Sequence, residues 1–93
     1  MPDIQSPSVK AKIVNTRGLH ARASAKFVEL ACKYRAEITV SREGNSVSGR
    51  SIMGLMMLAA PLGSELEIAA QGADAAEALA ALTRLIAAGF HED

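Results

Sequence analysis

Ala36-Glu37-Ile38-Thr39-Val40-Ser41-Arg42-Glu43-Gly44-Asn45-Ser46-Val47-Ser48-Gly49 reads as two strands and the turn that joins them. In the first half Ile38 and Val40 alternate with Glu37, Thr39 and Ser41, the period of a strand with one apolar and one wet face. Glu43-Gly44-Asn45 is a tight hairpin turn, and Ser46–Gly49 returns around Val47. The hairpin commits this part of the chain to antiparallel pairing.

The same periodicities extend in both directions. Upstream, Val9, Ala11 and Ile13 alternate with Lys10 and Lys12, a strand over residues 9–14. A helix follows from Ala21, with Ala23, Phe27, Leu30, Ala31 and Tyr34 on one apolar stripe and a favourable Glu29–Lys33 pair away from it. Downstream, Ser51–Leu58 is a short helix with Ser51 placed to cap it, and residues 59–64 close it. Leu66, Ile68 and Ala70 alternate with Glu65 and Glu67 in a fourth strand over residues 65–71. Asp74 with Glu77 resembles a capping box, opening a helix to Ala88 whose Ala78, Leu79, Leu82, Leu85 and Ile86 face inward. Gly89 stops it. The order β-α-β-β-α-β-α gives a two-layer α+β domain.

Ninety-three residues make one small domain, taken here as residues 9–90, with a flexible leader over 1–8 and a tail over 91–93. Only Phe27, Tyr34 and Phe90 are aromatic, so the core is built from Ala, Val, Ile, Leu and Met. Ten basic residues balance ten acidic ones, which argues against nucleic acid as a partner. Nine of the ten basic residues nevertheless precede residue 51, an asymmetry suited to steering an acidic protein partner. Cys32 is the only cysteine and reads as a small packed residue of the first helix. No apolar run has membrane-spanning length and no signal-peptide core is evident, so a cytoplasmic monomer is expected, with no membrane contact. His20 and His91 lack ligand spacing, so neither a metal nor a cofactor is expected. His91 is placed in the exposed tail.

The candidate chemistry lies in Gly18-Leu19-His20-Ala21-Arg22, where a loop turns into a helix. The first helical turn has unpartnered N–H groups and partial positive charge, which hold phosphate well and favour a neutral, nucleophilic imidazole. Arg22 begins in the same turn with a guanidinium that forks onto phosphate oxygens. A histidine at a helix start is, on spacing alone, more often a solvated or capping residue than a functional one.

Asn15-Thr16-Arg17-Gly18-Leu19-His20-Ala21-Arg22 with Phe27-Val28 resembles the active-site segment of the HPr family of histidine-containing phosphocarriers. Gly49-Arg50-Ser51-Ile52-Met53-Gly54-Leu55-Met56-Met57-Leu58 is similar to that family's regulatory-serine segment, at the family's separation. The resemblance covers roughly residues 8–90; the family's usual proline is replaced by Ala23. It implies an open-faced sandwich with helices on one face of a four-stranded antiparallel sheet. It also implies that His20 takes a phosphoryl group on Nδ1 from enzyme I, ultimately from phosphoenolpyruvate, and passes it to an enzyme IIA. Arg22 and the Ala21 N–H would steady that phosphate. The resemblance implies no independent turnover of a small substrate.

Two further expectations attach to the second segment. Ser51 is a simple cap or, as the resemblance implies, a target of HPr kinase/phosphorylase. Ile52, Met53, Leu55, Met56, Met57 and Leu58 are too many apolar residues for one short helix to bury, so some are expected to be exposed beside His20, and the resemblance implies that Ile52, Met53 and Met56 form the exposed partner surface. Against these stand an acylphosphatase-type hydrolase, whose glycine- and glutamine-rich loop is absent, and a regulatory module without phosphotransfer, which would replace the histidine. The choice between the sugar and nitrogen-related branches stays open.

Overall fold

Glu43 and Gly44 both take positive φ, 50° and 85°, and pair Arg42 with Asn45 across a two-residue turn. Two left-handed residues match the twist of the flanking strands. Asn45 thereby opens the returning strand instead of sitting in the turn. This hairpin is the outer part of a sheet seen in a computed structural model that describes residues 7–92.

The elements are β1 (Ser8–Lys12), α1 (Ala21–Ala31), β2 (Glu37–Arg42), β3 (Asn45–Ser48), α2 (Ile52–Met57), β4 (Glu65–Gln71) and α3 (Ala75–Ala87), followed by a 3₁₀ turn, Gly89–His91. The strands pair antiparallel in the order β1-β4-β2-β3. Val40 is paired with both Val47 and Ile68, and Val9 with Ile68, so the apolar alternation of all four strands falls on one face. α1 and α3 pack on each other, α3 covers β1 and β4, and α2 rests on α1 and β3. The expected open-faced α+β sandwich is the observed one.

Phe27 and Phe90 are the largest fully buried side chains, surrounded by Ile13, Ile38, Leu55, Leu66, Ile68, Leu82 and Ile86. Ser24 joins them inside α1, its hydroxyl donating to Leu19 O at 3.4 Å. An apolar-only reading of the helix passes over that serine.

Several local expectations are corrected. α1 ends at Ala31: the Cys32 and Lys33 N–H groups donate to Val28 O and Leu30 O, and Cys32 is exposed past the last turn instead of packed. Tyr34 accordingly leaves the helical stripe and is partly buried in the loop. Asp74 makes no side-chain bond to its own helix. Its Oδ2 accepts from Arg35 N–H at 2.7 Å while its N–H donates to Arg35 O at 3.1 Å, so it ties two loops together. Of the expected leader, Ser8 belongs to the sheet, paired with Ala69, and Pro7 is tied to its edge, its O accepting from Ala70 N–H at 3.0 Å. Residues 1–6 lie outside the described residues, as does Asp93 of the expected tail.

Candidate functional site

The loop before α1 is fixed by its backbone. Gly18 has φ +69°, and a Cβ there would stand 2.5 Å from Ala60 O. Only glycine meets both the left-handed conformation and that approach at low cost. The next residue, Leu19, is buried and donates its N–H to Ala60 O at 2.9 Å. The loop is thus held against the segment that follows α2.

His20 then becomes the N-cap of α1, with extended backbone. Its Nδ1 accepts from Arg22 N–H at 3.3 Å, and Ser24 N–H donates to His20 O at 2.8 Å. Ala21 is the first helical residue, so its N–H has no acceptor within the helix. An Nδ1 that accepts carries the ring's lone pair, and the proton then resides on Nε2.

Nε2 donates to Glu92 Oε2. The side chains of His20 and Glu92 are 18% and 15% exposed, so the pair is partly shielded from water. Glu92 had been assigned to a trailing tail; it belongs to the site. What brings it back is a left-handed turn after α3, where Gly89, Phe90 and His91 have φ of 63°, 56° and 60°. Left-handed backbone at Phe90 and His91 is unfavourable for residues with a Cβ. It is held by the complete burial of Phe90 and by Lys26 Nζ, which donates to Phe90 O at 2.7 Å. His91 itself stays exposed, as expected.

Asn15 completes the arrangement. It is buried, and its Nδ2 donates both to Gly18 O at 2.8 Å and to Glu92 Oε1 at 3.1 Å. Partial burial works against the charge of Glu92. Hydrogen bonds from His20 and Asn15, with the nearby charge of Arg17, outweigh it and hold the carboxyl below its ordinary range.

Beside the ring, Thr16, Arg17, Arg22, Lys26, His91 and Glu92 line an open polar cleft. Arg22, named from the sequence, is exposed there on the first turn. Arg17 and Lys26 add positive charge that had been counted only in the overall asymmetry. On the other segment, Ser51 caps α2, its Oγ accepting from Gly54 N–H at 2.9 Å. Leu55 and Leu58 are buried, whereas Ile52, Met53 and Met56 are 41%, 71% and 41% exposed. Met57, at 79%, and Leu62 add to that apolar surface without having been singled out.

Fold and site together define a small open-faced sandwich with an imidazole at a helix start beside an open, largely basic cleft, an arrangement that suits a carrier of anionic groups. The family profile described as "PTS HPr component phosphorylation site" matches residues 7–88. The phosphocarrier protein HPr of Neisseria meningitidis is 51% identical over 81 residues, covering 87% of this chain and 91% of that protein. The HPr of Cupriavidus necator is 49% identical over 80 residues, 86% and 90% of the two chains. Among solved structures, HPr from Thermoanaerobacter tengcongensis superposes with a TM-score of 0.89 at 39% identity, covering 94% of this chain and 98% of that one. The chain belongs to the HPr family of phosphocarrier proteins of the phosphotransferase system. It is a carrier that relays a phosphoryl group, not an enzyme with its own small-molecule turnover.

Proposed function

We propose that His20 Nδ1 is the acceptor atom, loaded by enzyme I and discharged to an enzyme IIA component in the cytoplasm. The observation that carries this is the Arg22 N–H donated to His20 Nδ1, which leaves that nitrogen with its lone pair at the open end of α1. When Nδ1 bonds to phosphorus, the Arg22 N–H loses its acceptor and becomes available, with Ala21 N–H, to the phosphoryl oxygens. The Arg22 guanidinium, in the same cleft, neutralises part of the added charge. Ile52, Met53 and Met56 form the apolar part of the docking face, on α2, which leads directly into the segment against which the His20 loop is held.

The test is incubation of the purified protein with phosphoenolpyruvate and enzyme I, beside His20→Ala. Intact mass should show one acid-labile phosphoryl group on the wild type and none on the variant. Absence of label on the wild type, with an active enzyme I, would remove His20 from this role.

Ser51 supports a second, regulatory reading. Its hydroxyl is only partly covered and caps α2 directly beside the exposed Ile52 and Met53. Phosphorylation there by HPr kinase/phosphorylase would place close to two negative charges on the proposed docking face and repel acidic groups of enzyme I. Purified kinase with ATP should label the wild type and leave Ser51→Ala unlabelled.

A further inference from the structure

We propose that Glu92 is a positioning residue for phosphoryl transfer: through Nε2 it orients the His20 ring and fixes the tautomer that leaves Nδ1 free to attack. The inference rests on His20 being the acceptor, and it concerns a residue beyond the stretch matched by the family profile, which ends at residue 88.

The geometry has three parts. Glu92 Oε2 accepts from Nε2, so a proton on that nitrogen is favoured over one on Nδ1. Glu92 Oε1 is itself held by Asn15 Nδ2, which also grips Gly18 O, so the carboxylate is oriented by the loop that delivers the histidine. The left-handed turn Gly89–His91, anchored by buried Phe90 and by Lys26, sets the height from which Glu92 reaches the ring. A nucleophile whose ring is aligned by a second group, itself aligned by a third, follows the logic of activated nucleophiles in general.

The chemistry gives Glu92 a purpose beyond alignment. In loading, the Nδ1 lone pair forms a bond to phosphorus while the bond from phosphorus to the donor atom of enzyme I breaks, and its electron pair leaves with the donor. No proton needs to move. The ring enters neutral with a proton on Nε2 and ends as an Nδ1-phosphorylated imidazolium with the same proton. Positive charge therefore develops on the ring during attack, opposite a fixed carboxylate. On discharge the N–P bond breaks, the pair returns to Nδ1, and the neutral Nε2–H ring is restored. Glu92 lies on the Nε2 side, away from the incoming phosphoryl group. Arg17, Arg22 and Lys26 in the adjoining cleft offset its negative charge toward that group.

The test uses the full chain labelled with ¹⁵N-histidine, with His20 ring signals identified by their loss in His20→Ala. Wild type should show Nε2–H as the dominant neutral tautomer. Glu92→Ala should give a mixture of tautomers and load from phosphorylated enzyme I roughly ten- to a hundredfold more slowly, the effect of losing a charge-assisted hydrogen bond. Glu92→Gln, whose amide oxygen still accepts from Nε2, should restore the tautomer while recovering the rate only in part. Unaltered ring signals in Glu92→Ala, or an unaltered loading rate, would overturn the proposal. A wild type that shows the Nε2–H tautomer yet takes no phosphoryl group would instead overturn the assignment of His20 as acceptor.

Discussion

Leu19 donates its N–H to Ala60 O at 2.9 Å, and through that bond the loop carrying His20 is fastened to the segment that ends α2. The loop that carries His20 is therefore tied by backbone to the chain just beyond the second stretch that carries the family resemblance. Gly18 makes the approach possible, since any side chain would meet Ala60 O at 2.5 Å. Gly18→Ala should lower stability by about 2 kcal/mol or more, from left-handed strain plus the displaced loop. For a domain of this size that corresponds to a melting temperature lower by roughly 8 °C or more. Calorimetry and loading from enzyme I should fall together; an unchanged melting temperature would show that the loop moves away freely.

Phe90 connects the core to the site. It is fully buried, and its backbone sets the turn that presents Glu92. Phe90→Ala should destabilise the domain by about 3–5 kcal/mol in urea unfolding, the usual range for a buried phenylalanine. Phe90→Leu, which keeps much of the volume, should fold well and cost less. In that variant the His20 ring signals should still shift, because the turn that presents Glu92 is anchored by this buried side chain. Ring signals identical to wild type would separate Phe90 from the site.

The strands were legible because Ile38/Val40 and Leu66/Ile68 alternate with polar or charged neighbours, and the Glu43-Gly44 turn punctuates the hairpin. The start of α1 was legible because a glycine, a histidine and then a helix-forming run occur in sequence. That some of the apolar residues of α2 are exposed followed from counting them against the room under one short helix, whereas the choice of Ile52 and Met53 rested mainly on the resemblance at those positions. Glu92 escaped because it is 72 positions from His20 and arrives through three left-handed residues that no periodicity marks. The available signal was Gly89-Phe90: a helix-stopping glycine followed by a large apolar residue sends the chain back toward the core. Cys32 and Asp74 were misplaced for a related reason. Cys32 lies past the early end of α1, and Asp74 is drawn to Arg35 of the loop after α1, neither of which the helical period marks.

The acid behaviour of the fold follows from the same carboxylate. Glu92 is held below its ordinary range in the folded protein, so it contributes stability that is fully present above the ordinary glutamate pKa of about 4.3. That contribution is lost as pH falls through the lowered folded value, where the carboxylate takes up a proton. Glu92→Gln removes the titration. Melting temperatures of wild type and variant should therefore differ near neutral pH and converge in acid. A constant difference across that range would mean that the carboxylate's charge contributes nothing to folding.

Ser51 separates capping from signalling. The Oγ bond to Gly54 N–H at 2.9 Å satisfies one open donor of α2. Ser51→Ala should cost about 1 kcal/mol of stability, the usual loss for a cap, and leave the exposed apolar face uncharged. Ser51→Asp keeps an acceptor for the helix N–H groups and adds a negative charge beside Ile52 and Met53. It should unfold close to wild type while loading more slowly from enzyme I, and added salt should narrow the gap by screening. Equal loading rates for Ser51→Asp and wild type at low salt would leave Ser51 as a cap alone, because the charge would then lie outside any surface that enzyme I reads.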